Sequence, residues 1–328
     1  MRVTIMVLAL TLTACGTQEN TGSTESVKST EAMESAETVK STETVESTET
    51  IENAEIIEAM VAESVAPQGT ANVTPQMQPV EYTNLQQITL DSTWEYADHS
   101  KINSGAAVLY PAPEESGRKG IIIGVNAGHG TAGGAKVKTL CHPDGSAKVT
   151  GGSTAAGGGM TFQDGTPERE VTLRMAQILR DKLLSSGYDV LMLRDSEDVQ
   201  LDNVARTVIC NNVADCHIAL HWDSGDGKNY DKGCFYISVP ETLKTMEPVA
   251  SHWQQHDTLG TDLVEGLREQ GTMIYGKGNM SIDLTQTSYS TIPSVDMELG
   301  NAYSDHSDVI LEQLATGLLA GINTYFEQ

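Results

Sequence analysis

From Gly120 onward, short apolar runs alternate with segments whose apolar residues recur every three or four positions. A short uncharged apolar run is typical of a strand covered on both faces, and the 3.6-residue period is typical of an amphipathic helix. This alternation predicts an α/β domain over residues 120–328, with three layers and a mixed, mainly parallel sheet flanked by helices. The predicted strands cover 121–125, 188–193, 217–221, 234–239, 272–275 and 294–299, and the predicted helices 167–186, 201–213, 258–270 and 309–326.

The pattern upstream of this domain is different. Residues 23–58 repeat a hexad rich in Ser, Thr and Glu, in which one apolar residue recurs every six positions. Six residues rotate a helical position by about 240°, so no continuous apolar stripe forms. We therefore expect a disordered acidic tether over residues 15–87. Trp94, Tyr96 and Tyr110 then predict an N-terminal extension, residues 88–119, packed on the domain.

The first fifteen residues predict the compartment. Met1-Arg2 precedes an uncharged apolar run over 3–12, which is shorter than the ~20 residues that cross a bilayer but has the length of a signal-peptide core. Leu12-Thr13-Ala14-Cys15 then resembles the lipobox of bacterial lipoproteins. The resemblance implies a signal peptide over residues 1–14, lipidation of Cys15 and an extracytoplasmic protein held to the membrane by lipid alone. The alternative is an ordinary signal peptide with an incidental cysteine.

Charge and cysteine content exclude two classes of function. The chain carries 45 acidic and 20 basic residues, a formal net charge of −25, and lacks the clustered cations that nucleic-acid phosphates require. We therefore expect no nucleic-acid partner. Four cysteines remain besides Cys15, and the absence of CxxC spacing argues against a four-cysteine zinc site. Disulfides and buried thiols both stay open for Cys141, Cys210, Cys216 and Cys234.

Two histidines follow predicted strands, at the sheet edge where functional groups gather in α/β folds. His129 follows the first strand and His221 ends the third. Glu168, at the start of the helix after a glycine-rich loop, would complete the set. Two histidines and one carboxylate with an open fourth position form a catalytic zinc site. Glu170 is the competing carboxylate, because either residue suits the first turn of a helix.

The other histidines are expected to have structural or surface roles. His217 shares strand parity with His221, and we predict that it is buried and hydrogen-bonded. His142, in the glycine-rich loop, is an alternative approach to the metal. For the group formed by His99, His142, His252, His256 and His306, we predict that most members lie at the surface.

A series of motifs resembles those of the zinc-dependent N-acetylmuramoyl-L-alanine amidases, in order and in spacing. The first three are Val125-Asn126-Ala127-Gly128-His129-Gly130, Glu168-Arg169-Glu170-Val171-Thr172-Leu173 with Ala176, and Leu193-Arg194-Asp195. Next come Arg206 with Asn211 or Asn212 and Ala214-Asp215, and then Ile218-Ala219-Leu220-His221. The last, Pro293-Ser294-Val295-Asp296-Met297-Glu298-Leu299-Gly300, is similar to the family's P-x-x-L-x-E-x-G.

The resemblance implies His129, Glu168 and His221 as ligands of Zn²⁺. It implies Glu298 as the catalytic glutamate, which would take a proton from the attacking water and protonate the leaving nitrogen. The implied reaction is hydrolysis of the amide bond between N-acetylmuramic acid and L-alanine in peptidoglycan, outside the membrane and facing the cell wall, with an unknown activator as a further partner. Trp222-Asp223 stands where the family has Ala-Asn, and Asn301 where an aromatic residue is common, which puts details of the substrate groove in doubt.

Two other functions remain open. One is a zinc peptidase or deacylase acting on another amide, although the chain has no HExxH motif. The other is a non-catalytic wall-binding lipoprotein, against which the presence of all four key residues argues. The glycine-rich loop over 131–165 is predicted to be mobile and to cover or shape the substrate groove, with a passive insertion as the alternative.

Overall fold

The computed structural model describes residues 82–145, 153–225 and 227–327. The predicted signal peptide, Cys15 and most of the predicted tether lie outside these residues. No helix among the described residues combines the length and the apolar character needed to cross a membrane.

Eight strands form one mixed sheet in the order β1-β2-β6-β3-β7-β10-β8-β9. The central strands β6, β3, β7 and β10 are parallel neighbours, whereas β2 and β8 join them antiparallel. A separate ribbon pairs β4 with β5. The strands are β1 (Gln86–Ile88), β2 (Ala107–Tyr110), β3 (Ile122–Ala127), β4 (Lys138–Thr139), β5 (Ser153–Thr154), β6 (Asp189–Met192), β7 (Cys216–Asp223), β8 (Cys234–Ser238), β9 (Ile274–Ser281) and β10 (Ser294–Asn301).

Helices cover both faces of this sheet. The helices are α1 (Glu168–Ser185), α2 (Asn203–Val213), α3 (Val249–Glu269), α4 (Thr285–Tyr289) and α5 (Asp308–Phe326). Helices α1, α3 and α5 pack together on one face, and α2 packs with α4 on the other. The three-layer α/β class predicted from the sequence is confirmed.

Helix α1 shows how the sequence builds this arrangement. Val171, Met175, Leu179 and Leu183 recur every four residues and are fully buried against the sheet. Burial of each such side chain contributes about 1.5–3 kcal/mol. The helix ends at Ser185, and Gly187 follows with a φ of 85°, which lets the Tyr188 amide donate back to the Leu183 carbonyl. At the other end of α1, the Glu168 amide donates to the Met160 carbonyl at 3.0 Å, and this first turn lies at the sheet edge that carries the functional residues.

Several elements differ from the prediction. Helix α3 begins at Val249, nine residues before the predicted start. The sequence pattern missed these first turns because they are polar and partly exposed. Strand β9 runs to Ser281 rather than Tyr275. The pattern missed this extension because a strand at the edge of the sheet needs no continuous apolar run. Strands β1 and β2 extend the sheet through the pairing of β2 with β6. The short helix α4 was not predicted.

Candidate metal centre

Three predicted ligands converge at the carboxyl ends of the central strands. His129 Nε2 lies 2.9 Å from Glu168 Oε1 and 3.0 Å from His221 Nδ1, and His221 Nδ1 lies 3.2 Å from Glu168 Oε1. These atoms form the one group of this kind within the described part of the chain that could hold a metal ion. The three residues come from the turn after β3, the first position of α1 and the strand β7, which are far apart in sequence and adjacent in the fold.

The spacing of the three donor atoms fits a small divalent ion. A tetrahedral zinc ion with bonds of about 2.0–2.1 Å places its ligand atoms about 3.3 Å apart, close to the observed separations. His129 Nδ1 donates to the Gly157 carbonyl at 3.0 Å. Because a carbonyl only accepts, this bond leaves the lone pair of Nε2 directed into the cluster. The donor set therefore fits zinc, with room for a fourth ligand.

The turn that carries His129 depends on its two flanking glycines. His129 itself adopts a φ of 65°, a conformation that is uncommon for residues other than glycine. A Cβ on Gly128 would lie 2.2 Å from the His221 ring, and one on Gly130 would lie 2.7 Å from Arg194. The Gly128-His129-Gly130 sequence is thus required for the backbone to turn beneath the second histidine.

Two buried arginines hold the same turn through backbone carbonyls. Arg194 donates to the carbonyl oxygens of Ala127 and Gly128 at 3.1 and 3.0 Å. Arg206 makes five hydrogen bonds, and none of them goes to a carboxylate. Its acceptors are Asn126 Oδ1, the Ala127, His129 and Leu201 carbonyls and Thr131 Oγ1, at 2.8–3.1 Å. Burial and the neighbouring Arg194 lower the pKa of Arg206 to about 9, so it remains charged at neutral pH.

Glu168, rather than its competitor Glu170, faces the cluster. Its carboxylate accepts from the Met160 amide at 2.8 Å through Oε2 and from the Trp222 amide at 3.0 Å through Oε1. Although burial acts to raise the pKa of Glu168, its contacts with the two histidine rings, which can donate to it when no metal ion is bound, lower the pKa well below its usual range. Glu170 is exposed on the next part of the same turn. The carboxylate at 168 is therefore held ionised and facing the two histidines.

Glu298 lies beside the cluster on the neighbouring strand. It is in register with His221 across the parallel β7–β10 pair, where strands are about 4.8 Å apart. Its Oε2 atom is buried and has no hydrogen-bond partner among the described residues. Burial and the nearby Asp296 raise the pKa of Glu298 well above its usual range. A carboxyl group with an unpartnered oxygen and a raised pKa suits proton transfer.

Asp296 is a residue of this site that sequence reasoning missed. It lies two residues before Glu298 on the same face of β10, and its Oδ2 atom is 3.8 Å from His221 Nε2. The side chain is nearly buried. Strand parity with Glu298 was the signal that could have identified it.

Described parts of the glycine-rich loop are hydrogen-bonded to the rest of the domain. Thr131 Oγ1 donates to the Leu201 carbonyl at 2.7 Å, and the Asn203 amide donates to the Ala155 carbonyl at 2.8 Å. These segments supply the Gly157 carbonyl to His129 and the Met160 amide to Glu168, and the mobility of the loop stays a prediction. Its role in shaping the substrate groove stays a prediction, and residues 146–152 lie outside the described part.

Two histidines predicted at the surface are buried. His142 is fully buried, and its Nε2 atom lies 2.9 Å from Asp283 Oδ1 rather than in the metal cluster. His256 is buried, and its Nδ1 atom accepts from the Ser294 amide at 3.0 Å. His217 is buried as predicted, 3.2 Å from Asn126 Nδ2. Among the cysteines, Cys210, Cys216 and Cys234 are buried free thiols.

Three of the residues that depart from the family pattern, Trp222, Asp223 and Asn301, lie at the carboxyl ends of β7 and β10. Asp223 forms an ion pair with the buried Lys232, and Asn301 Nδ2 donates to the Tyr230 carbonyl at 3.0 Å. Trp222 is buried, with its ring centroid 5.9 Å from that of Phe162. The contacts of Asp223 and Asn301 hold the segment 227–233 against the carboxyl ends of β7 and β10. The departures thus alter the rim of the site and leave the ligands in place.

Comparison with known proteins places this arrangement in a family. Residues 123–318 match the family described as N-acetylmuramoyl-L-alanine amidase. The amidase Ami1 of Mycobacterium smegmatis has a similar fold, with a TM-score of 0.55 and 17% identity over 63% of this chain and 97% of that one. The apo form of Ami1 from Mycobacterium abscessus gives a TM-score of 0.53 and 20% identity, covering 63% of this chain and 99% of that one.

A curated protein of another class also shows limited similarity. The D-alanine–D-alanine ligase of Francisella philomiragia subsp. philomiragia is 25% identical over 173 residues, which is 46% of this chain. The chain spans 55% of the length of that protein. This likeness carries no activity over to the chain. The amidase match, in contrast, spans more than half of the chain and includes His129, Glu168 and His221, so the chain belongs to the N-acetylmuramoyl-L-alanine amidase family of hydrolases.

Proposed function

We propose that this protein hydrolyses the amide bond between N-acetylmuramic acid and L-alanine in peptidoglycan. The observation that carries the proposal is the His129–Glu168–His221 cluster, with Glu298 in register with His221 and its buried Oε2 atom without a hydrogen-bond partner among the described residues. Amide hydrolysis needs an electrophile activator, a nucleophile and a proton carrier for the leaving nitrogen. The cluster and Glu298 supply all three within one site.

Each residue has a separate task in this proposal. His129, Glu168 and His221 would hold zinc, which when bound supplies a Lewis acid and lowers the pKa of a water molecule to about 7. Glu298 takes a proton from the attacking water on its free oxygen and then donates that proton to the amide nitrogen as the carbon–nitrogen bond breaks. The raised pKa of Glu298 suits both halves of this transfer. It makes the carboxylate a stronger base toward water, and it keeps the acid form accessible for protonating the leaving nitrogen.

Product analysis tests the bond that is cleaved. The full-length protein is incubated with purified peptidoglycan, with added zinc or with a chelator, and the new ends are identified by mass spectrometry. We expect free L-alanine amino termini that disappear with chelator and return when zinc is restored. Cleavage elsewhere in the stem peptide would favour a zinc peptidase. Intact peptidoglycan with zinc bound would favour the non-catalytic wall-binding function.

We further propose that Cys15 carries a lipid and that residues 15–87 tether the domain to the outer face of the membrane, with the wall within reach. The support is the Leu12-Thr13-Ala14-Cys15 motif after a short apolar run. A Cys15→Ala variant is expressed in bacteria beside the wild type and labelled with a clickable fatty acid. We expect the variant to lose the label and leave the membrane fraction. A variant that kept both would refute lipid attachment at Cys15.

A further inference from the structure

Asp296 has an unusual environment for a carboxylate. It is only 9% exposed, and its Oδ1 atom has no hydrogen-bond partner among the described residues. Its Oδ2 atom lies 3.8 Å from His221 Nε2. Removing a carboxylate from water costs several kcal/mol unless a partner compensates. The position therefore calls for a partner, and the neighbouring group is the outer nitrogen of a metal ligand.

We propose that Asp296 is a positioning residue for His221, accepting its Nε2–H and so holding Nδ1 unprotonated toward the metal. The inference rests on the proposed metal centre and is independent of the bond that the enzyme cleaves. It applies to this chain in particular, because Asp296 occupies the leucine position of the P-x-x-L-x-E-x-G motif, and leucine has no acceptor.

The two histidine ligands present opposite nitrogens to the cluster. His129 uses Nε2, while its Nδ1–H is fixed by the Gly157 carbonyl. His221 uses Nδ1, which lies 3.0 Å from His129 Nε2 and 3.2 Å from Glu168 Oε1. Its Nε2 is thus the outer nitrogen and needs an acceptor of its own if Nδ1 is to stay unprotonated. Asp296 Oδ2 lies 3.8 Å from that outer nitrogen, whereas the Gly157 carbonyl lies 3.0 Å from His129 Nδ1, so the proposed hydrogen bond requires the carboxylate and the ring to approach each other by several tenths of an ångström.

The register of the sheet explains how the carboxylate reaches this nitrogen. Glu298 is level with His221 across the β7–β10 pair, and Asp296 is level with Ala219. Both acidic residues are on the same face of β10 as His221 is on β7, since residues two apart share a face. The group of atoms that could hold a metal ion consists of His129, Glu168 and His221 and does not include Asp296. Asp296 therefore lies on the far side of the ring from the ligand triangle and is not itself a fourth ligand.

Zinc affinity tests the proposal directly. Zinc binding to the full-length protein is measured by competition with a chromophoric chelator for the wild type, Asp296→Asn and Asp296→Leu. Ser294→Ala is the matched control, because Ser294 lies two residues earlier on the same face of β10. Loss of a carboxylate that orients a ligating histidine typically weakens metal binding about 10–100-fold. We expect Asp296→Leu to show such a loss, Asp296→Asn a smaller one because its amide oxygen can accept, and Ser294→Ala no change.

A spectroscopic readout separates positioning from general damage to the strand. In the zinc-loaded wild type, long-range ¹H–¹⁵N spectra of the histidine rings should report His221 protonated at Nε2, with a proton shifted downfield by the carboxylate. That shift should disappear in Asp296→Leu while circular dichroism shows an unchanged fold. If Asp296→Leu does not fold, the nearly isosteric Asp296→Asn gives the same test.

Three results would overturn the inference. They are zinc binding by the Asp296 variants within twofold of the wild type, equal weakening in Ser294→Ala, and an unchanged Nε2 proton shift in the Asp296 variants. Wild-type protein that bound no zinc would overturn the metal centre together with this inference. Wild-type binding matched by that of Asp296→Leu would overturn the inference alone.

Discussion

Replacement of Glu298 by glutamine is expected to lower kcat for peptidoglycan amide hydrolysis by a factor of about 10²–10⁴. Glutamine keeps the size of the side chain, but its carboxamide can neither take a proton from water nor donate one to the leaving nitrogen. The ligand atoms of His129, Glu168 and His221 are untouched. The effect should therefore fall on turnover, with zinc affinity nearly constant.

The matched control is Glu170→Gln, which changes an exposed carboxylate two residues after Glu168. Release of L-alanine amino termini is followed with time for both variants at saturating zinc. Glu170→Gln should retain the wild-type rate. Glu298→Gln turnover within a factor of three of the wild type would show that proton transfer runs through another group.

Replacement of Arg206 by methionine is expected to reduce the free energy of unfolding by several kcal/mol, about 1–3 kcal/mol for each buried acceptor left unsatisfied. The guanidinium is buried and donates to five acceptors. The Ala127 and Leu201 carbonyls would keep Arg194 and Thr131 as donors, but the other three acceptors would lose the donor described here. Arg206→Lys should also destabilise, because an ammonium group has three donors and lacks the planar fork. A loss of this size is a large part of the 5–15 kcal/mol of a typical domain.

Urea denaturation of the full-length variants measures this loss. Arg169→Met is the control, since the Arg169 side chain is 49% exposed and forms only an exposed ion pair with Glu170. It should change the unfolding midpoint little. A midpoint for Arg206→Met equal to that of Arg169→Met would mean that the carbonyls of the His129 turn find other donors.

Much of the fold could be predicted because it depends on local patterns. The buried strands β3, β7 and β10 carry apolar runs, and α1 carries an apolar residue every four positions. The first turns of α3 gave no such pattern, since its helical state depends on packing of later turns against α5 and β8. Burial of His142 and His256 was also out of reach, because their partners, Asp283 and the Ser294 amide, are distant in sequence.

The candidate site divides in the same way. His129 and His221 could be predicted from their places after strands, whereas the choice of Glu168 over Glu170 came from family resemblance. The structure gives a physical reason for that choice: the amides of Met160 and Trp222 bind the carboxylate at 168, while Glu170 faces water. Asp296 was not predicted because the motif was matched on the positions that agree with it. The informative position here is the one that departs, where aspartate replaces leucine.

The short segment 157–160 touches two of the three ligands at once. The Gly157 carbonyl fixes the His129 ring, and the Met160 amide binds Glu168, whereas His221 stands on a central strand of the sheet. Local opening of this segment would release two ligands in a single event without unfolding the sheet. The rate at which zinc leaves the protein should therefore follow the local stability of residues 157–160. Exchange of the bound ion would then be a property of one loop, and the equilibrium affinity a property of the whole cluster.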